Sequence, residues 1–181
     1  MSTPRALKVC TKPGVSNPRG TPEMLAEISA ELELRREHSR EHEAPIYLFI
    51  YNIARFRDLR KEDDFSFSAL DDGKPPSPAK QFNNILREGP ALGIHTLVWC
   101  DTYNNVTRFL DRQGLRDFEI RVLFQMNATD SSNLMDTPDA SRLGVHVAIS
   151  YDEGQGRMEK FRPYGLPSNE WLAELKKQWP T

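Results

Sequence analysis

The sequence predicts an α/β fold: a mainly parallel sheet with flanking helices and a C-terminal β-hairpin. Three observations predict it. IYLFIY (residues 46–51) and IHTLVWC (94–100) are continuous apolar, β-branched or aromatic runs without clean alternation, the pattern of central strands covered on both faces. Segments with helical spacing precede each run, as in a strand–helix–strand unit. A Gly154-Gln155-Gly156 turn joins two later strand-like stretches as a hairpin. The second run ends in Asp101, Thr102, Tyr103, Asn104 and Asn105. The carboxyl ends of strands are where open α/β sheets bind ligands, so any chemistry is expected there.

Taken in order, residues 1–20 are rich in Pro, Gly, Ser and Lys and read as a disordered segment, leaving 21–181 as one domain. Thr21-Pro22 opens a helix, with Thr as the cap and Pro at the first helical position. Leu25, Ile28 and Leu32 form its apolar stripe. Glu23, Glu27 and Glu31 precede Arg35, Arg36 and Arg40, an order that suits the helix dipole and reads as a solvated charged face. Pro45 ends this segment before the first strand.

Residues 52–61 read as a turn and short helix with Phe56 and Leu59 inward, and 62–77 as a long polar, acidic loop. Ser77-Pro78 opens a helix whose buried side is Phe82, Ile85 and Leu86. This helix ends near Leu92, with Pro90 bending its last turn and Gly93 turning the chain. Val106, Phe109 and Leu110 mark a short helix. Residues 119–126 form a third strand in which Ile120, Val122, Phe124 and Met126 alternate with Arg121, Leu123 and Gln125. Residues 130–136 form a helix or turn, 145–151 a fourth strand and 158–161 the last. Ser168 caps a closing helix with Trp171, Leu172, Leu175 and Trp179 on one face.

Composition narrows the function. The 181 residues are 38% hydrophobic and 28% charged with a net charge of −2, and the mean hydropathy is −0.61. This describes a soluble domain with its own core and no bilayer-spanning run. The N-terminus lacks the apolar stretch of a secretory signal. With Cys10 and Cys100 the only cysteines and no pairing expected between them, a cytoplasmic setting fits. The charge does not by itself announce a nucleic-acid binder.

Most motif chemistry is missing. No GxxxxGK[ST] or GxGxxG cradle occurs, so the chain has no visible phosphate-binding loop. His38, His42, His95 and His146 do not combine with the cysteines at metal-ligand spacing. Cys100 lies at a strand end but has no adjacent base and reads as an inert small hydrophobe.

Four blocks, in order and spacing, carry a resemblance: PIYLFIYNIARFRDLR, ILREGPALGIHTLVWCDTYNNVTRFLD, FEIRVLFQMNATDSSNLMD and ASRLGVHVAI. Together they resemble the C-terminal half of the motor domain of FtsK/SpoIIIE-family DNA translocases, a HerA-FtsK branch of RecA-like P-loop ATPases, over about residues 45–165. The resemblance implies a partial RecA-like core. It places the Walker B position, where the family carries an Asp-Glu pair, at Tyr51-Asn52-Ile53. It places the polar sensor at Thr102 and an arginine-finger-like residue at Arg121, while a second family arginine is replaced by Gln125. Asp130, Ser131 and Asp136 match the following block, and His146-Val147 replaces the Gly-Asp of the fourth strand.

Asn52, Asp101 and Thr102 then form a nucleotide edge, and Arg55, Arg57 and Arg60 are candidates for DNA contact, with ordinary exposed charge as the alternative. An Asn at position 52 accepts a hydrogen bond but cannot serve as a base. ATP and Mg²⁺ are therefore expected only in a complete parent module. The implied partners are other subunits or the N-terminal half of an ATPase, with DNA as a further candidate and no membrane. The alternative is an inactive module that docks on an active ATPase or a secretion or translocation partner.

Overall fold

The structure, a computed structural model, describes residues 17–38, 44–61 and 76–178. Most of the segment read as disordered, the acidic loop, His42 and Trp179 lie outside these residues. The described chain opens on a 3-10 turn, Pro18–Gly20, whose N-cap Asn17 accepts from the N–H groups of Arg19 and Gly20. Helix α1, Thr21–His38, continues directly from it. The cap is therefore Asn17 rather than Thr21: the turn already satisfies the first donors, and Thr21 is buried.

Strand β1, Ile46–Tyr51, pairs in parallel with β2, Ile94–Trp99, in the register Ile46↔Ile94 to Tyr51↔Trp99. Between them, Ser77 caps helix α2, Pro78–Glu88, by accepting from the Lys80 N–H, with Pro78 at the first position. A 3-10 turn, Pro90–Leu92, follows α2, and Gly93 at φ 74° reverses the chain into β2. Leu25 and Leu32 of α1, Phe82, Ile85 and Leu86 of α2, Leu48 and Ile50 of β1 and Ile94 of β2 make one core with Ile53, Leu59, Phe109 and Leu110. Phe56 packs against its rim. Residues 53–59 form two 3-10 turns, Ile53–Arg55 and Arg57–Leu59, where one short helix was expected.

Two expectations fail at this core. β1 and β2 are not covered on both faces: Tyr47, Phe49, Tyr51, Leu97 and Trp99 point away from the helices and are 45–71% exposed. The apolar run is continuous because both faces carry large side chains, not because both are buried. Nor is the whole charged face of α1 solvated. Arg35 is 3% exposed. Its guanidinium donates to the carbonyls of Leu92 (2.9 Å) and Ala44 (2.9 Å) and to Glu31 Oε1 (2.8 Å). It thus ties the helix to the approaches of both strands, and the charge is tolerated because every bond it makes is charge-assisted.

After β2 come helix α3, Tyr103–Phe109, and helix α4, Arg112–Arg116, capped by Thr102 and Asp111. The remaining strands do not join the parallel pair. β3 (Ile120–Leu123), β4 (Ala148–Asp152) and β5 (Arg157–Phe161) form a separate antiparallel sheet in the order β3-β4-β5. The α/β class and the terminal hairpin are as expected, and the parallel part of the sheet consists of two strands.

β3 is shorter than expected, and of the two alternating sets Ile120, Val122 and Phe124 are exposed, while Leu123 is buried and Arg121 turns inward. β4 starts three residues later than expected because His146 takes φ 60° and breaks the extended chain. Helix α5, Ala128–Met135, sits where a short helix was expected. Its Met135 and Ser131 are buried in a second, smaller core with Leu123, Ala140, Leu143, Ile149 and Tyr151. Ser168 caps helix α6, Asn169–Gln178, by accepting from the Trp171 N–H at 3.1 Å. The apolar face of α6 is not buried: Trp171 is 55% and Leu172 38% exposed.

Candidate functional site

Because β1 and β2 are parallel and in register through Tyr51↔Trp99, the residues that follow them emerge side by side at one edge. Asn52 leaves β1 in the left-handed region, φ 58°, ψ 72°. Asn tolerates this conformation better than most residues with a Cβ. It starts the Ile53–Arg55 turn, against which α3 packs. Its side-chain Oδ1 is buried without a hydrogen-bond partner among the described residues.

From the β2 side, Asp101 is exposed and its Oδ1 accepts from Asn105 Nδ2 at 2.8 Å. That bond holds the Asp101 carboxyl below its usual value, with smaller help from the backbone N–H groups of Asp101 and Thr102. Thr102 Oγ1 accepts from the Asn105 N–H at 3.3 Å and so is occupied as the cap of α3. Cys100 is half-buried, with Sγ 3.4 Å from the Thr102 carbonyl oxygen. Burial pushes its thiol up, which keeps it protonated and a poor nucleophile near neutrality.

The structure thus brings Asn52, Asp101 and Thr102 to one edge. Arg121 lies on the other sheet and is committed within the chain. Its guanidinium donates to the carbonyls of Leu134 (2.7 Å) and Leu115 (2.9 Å) and pairs with Glu153. Burial lowers its pKa from the ordinary arginine value. Arg55, Arg57 and Arg60 are exposed on the turns after β1. Ser131 donates from Oγ to the Thr137 carbonyl (2.6 Å) and accepts from the Ala140 N–H (3.1 Å), so it holds the loop after α5. Asp130 closes the cap of the same helix with Asn127, and Asp136 ends it at φ 60°.

These groups do not fit a hydrolytic Mg²⁺·nucleotide centre. Asn52 offers a neutral amide, which cannot act as a base, and of the three residues at this edge Asp101 alone carries a carboxylate, its Oδ1 accepting from Asn105. The Gly154–Gly156 segment is a hairpin turn: the Gln155 N–H donates to Asp152 Oδ1, and β5 rather than a helix comes next. Among the described residues, no group of three His, Cys, Asp or Glu side chains is placed to hold a metal ion. No helix there is long and apolar enough to cross a membrane.

Sequence reasoning missed two features. One is the burial of Arg35. The other is the outer face of the parallel pair, where Tyr47 stacks on His95 (centroids 5.4 Å apart) and Tyr51 on Trp99 (4.9 Å). The register of the two apolar runs, offset by 48 positions, would have found these stacks once parallel pairing was assumed.

The sequence matches no protein-family profile and no curated relative. Among solved structures, the chain is similar to the cytoplasmic domain of the type VII secretion ATPase EccC of Thermomonospora curvata. The TM-score is 0.56 at 16% identity, over 90% of this chain and 20% of that one. The genome-packaging NTPase B204 of Sulfolobus turreted icosahedral virus 2, in complex with AMPPCP, is similar with a TM-score of 0.48 at 8% identity, over 84% of this chain and 73% of that chain. At these identities the likeness to the secretion ATPase shows the fold alone. The chain shares an α/β fold with part of that domain, and it spans about a fifth of the EccC chain.

Proposed function

We propose that this chain is the C-terminal portion of an FtsK/SpoIIIE-like ATPase module that does not hydrolyse ATP by itself and works with other subunits or with an N-terminal half carrying the phosphate cradle. The observation that carries the reading is the shared edge of Asn52 and Asp101–Thr102 at the carboxyl ends of paired parallel strands. Strand ends of this kind are where open α/β sheets bind ligands, and the amide of Asn52 would not serve there as a base. Arg55, Arg57 and Arg60 are the exposed groups that would meet DNA phosphates if such a module acts on DNA.

A second reading is favoured by one observation: β1–β2 is a sheet of only two strands, with no third strand paired to either edge among the described residues. An unpaired edge accepts a strand from another protein, so the chain would dock on an active ATPase or a secretion or translocation partner.

Phosphate release from MgATP by the purified chain separates these readings from an independent enzyme, and the expected result is release at background. Saturable release that Asn52→Ala abolishes would contradict both readings. A Walker A-bearing half that restores nucleotide binding when added favours the first. Tight association with an ATPase while this chain binds no nucleotide favours the second.

A further inference from the structure

Away from that edge, several apolar surfaces are exposed among the described residues, the outer side of β3 included, and two of them match each other in size. The first is the outer face of β1–β2, where Tyr47, Phe49 and Tyr51 lie in register with His95, Leu97 and Trp99. Phe49 and Tyr51 are 71% and 70% exposed. Parallel strands ordinarily carry helices on both faces, and a contiguous apolar patch of this kind marks a contact surface. The second is α6, which presents Trp171, Leu172 and Leu175 at helical spacing, the first two exposed.

We propose that these two surfaces are partners between two copies of this chain, α6 of one copy lying along the β1–β2 face of the other in a reciprocal exchange. The dimensions agree: six strand residues extend ~20 Å and ten helical residues ~15 Å. The area agrees as well. Aromatic side chains each bury ~150–250 Å², so four about half or more exposed give on the order of 500 Å² per face. With the helix residues and both contacts, the total is on the order of 1,500 Å², the size of a stable interface.

Charge sets the direction. Glu170 lies in the first turn of α6, and Arg55 and Arg57 follow the Tyr51–Trp99 end of the face, so the acidic end of the helix lies at that end. The chain's own α6 leaves both surfaces exposed in this structure. A two-fold exchange covers both in each copy and closes the assembly.

Light scattering of the full chain over a concentration series tests this. The expected species has twice the 20.8 kDa chain mass. Phe49→Glu and Leu172→Glu change exposed residues, so circular dichroism and melting are expected to stay unchanged while each variant runs as a monomer. An equimolar mixture of the two keeps one intact helix–face contact and is expected to recover a weaker dimer. A wild-type chain monomeric at about 100 μM overturns the proposal, since interfaces of this size hold at micromolar or tighter. A dimer lost with Phe49→Glu but not with Leu172→Glu overturns it too, as does cross-linking of α6 to its own chain's sheet face. The pairing does not rest on the nucleotide reading, and its failure leaves that reading standing.

Discussion

Around β1 and β2, the core is built from long apolar side chains of two helices and two strands, with Phe82, Ile85 and Ile94 fully buried at its centre. Around β3–β5, the core is smaller and depends on polar pins: Arg121 reaches the carbonyls of Leu115 and Leu134, and Ser131 bridges Thr137 and Ala140. The first region is held by volume and the second by direction. Loss of volume in a well-packed core costs transfer and cavity energy together, whereas loss of a pin leaves carbonyls or N–H groups unsatisfied in a region with little apolar area to compensate.

Three substitutions sharpen or break that contrast. Phe82→Ala removes the centre of the larger core and is expected to cost about 3–5 kcal/mol in denaturant unfolding. A loss below about 1 kcal/mol would mean that volume does not hold this region. Arg121→Met keeps an unbranched apolar stem and removes three charge-assisted contacts. With its partner Glu153 partly exposed, the expected loss is about 2–3 kcal/mol. Hydrogen exchange should show that loss chiefly in β3, β4 and α5, and acceleration confined to β1 and α2 would refute the assignment. Ser131→Ala strips two bonds from the loop after α5 and is expected to cost about 1–2 kcal/mol. A variant as stable as the parent would show that Ala140 N–H finds another acceptor.

Legibility in the sequence followed the kind of signal. The stripe Leu25–Ile28–Leu32, the Ser77-Pro78 and Ser168 helix starts and the strands at 46–51 and 94–99 were readable because each is set by local periodicity or capping. The side-by-side placement of Asn52 with Asp101 and Thr102 was expected from the resemblance, and in-register parallel pairing is its physical cause. The orientation of β3 was not readable, because alternation separates two faces without saying which of them is buried. Arg121 turns inward because the carbonyls of Leu115 and Leu134 converge on it, and no spacing rule records that convergence.

By itself the sequence determined the α/β class, the order of the elements and the lack of a GxxxxGK[ST] or GxGxxG motif. These are matters of residue identity and short-range periodicity, which survive without a fold. Only the tertiary structure decided that the five strands divide into a parallel pair and an antiparallel sheet, that Arg35 is buried, and that the aromatic side of β1–β2 faces outward. Each of these depends on which distant surfaces meet, and a run with large side chains on both faces looks the same in sequence whether or not its second face is covered.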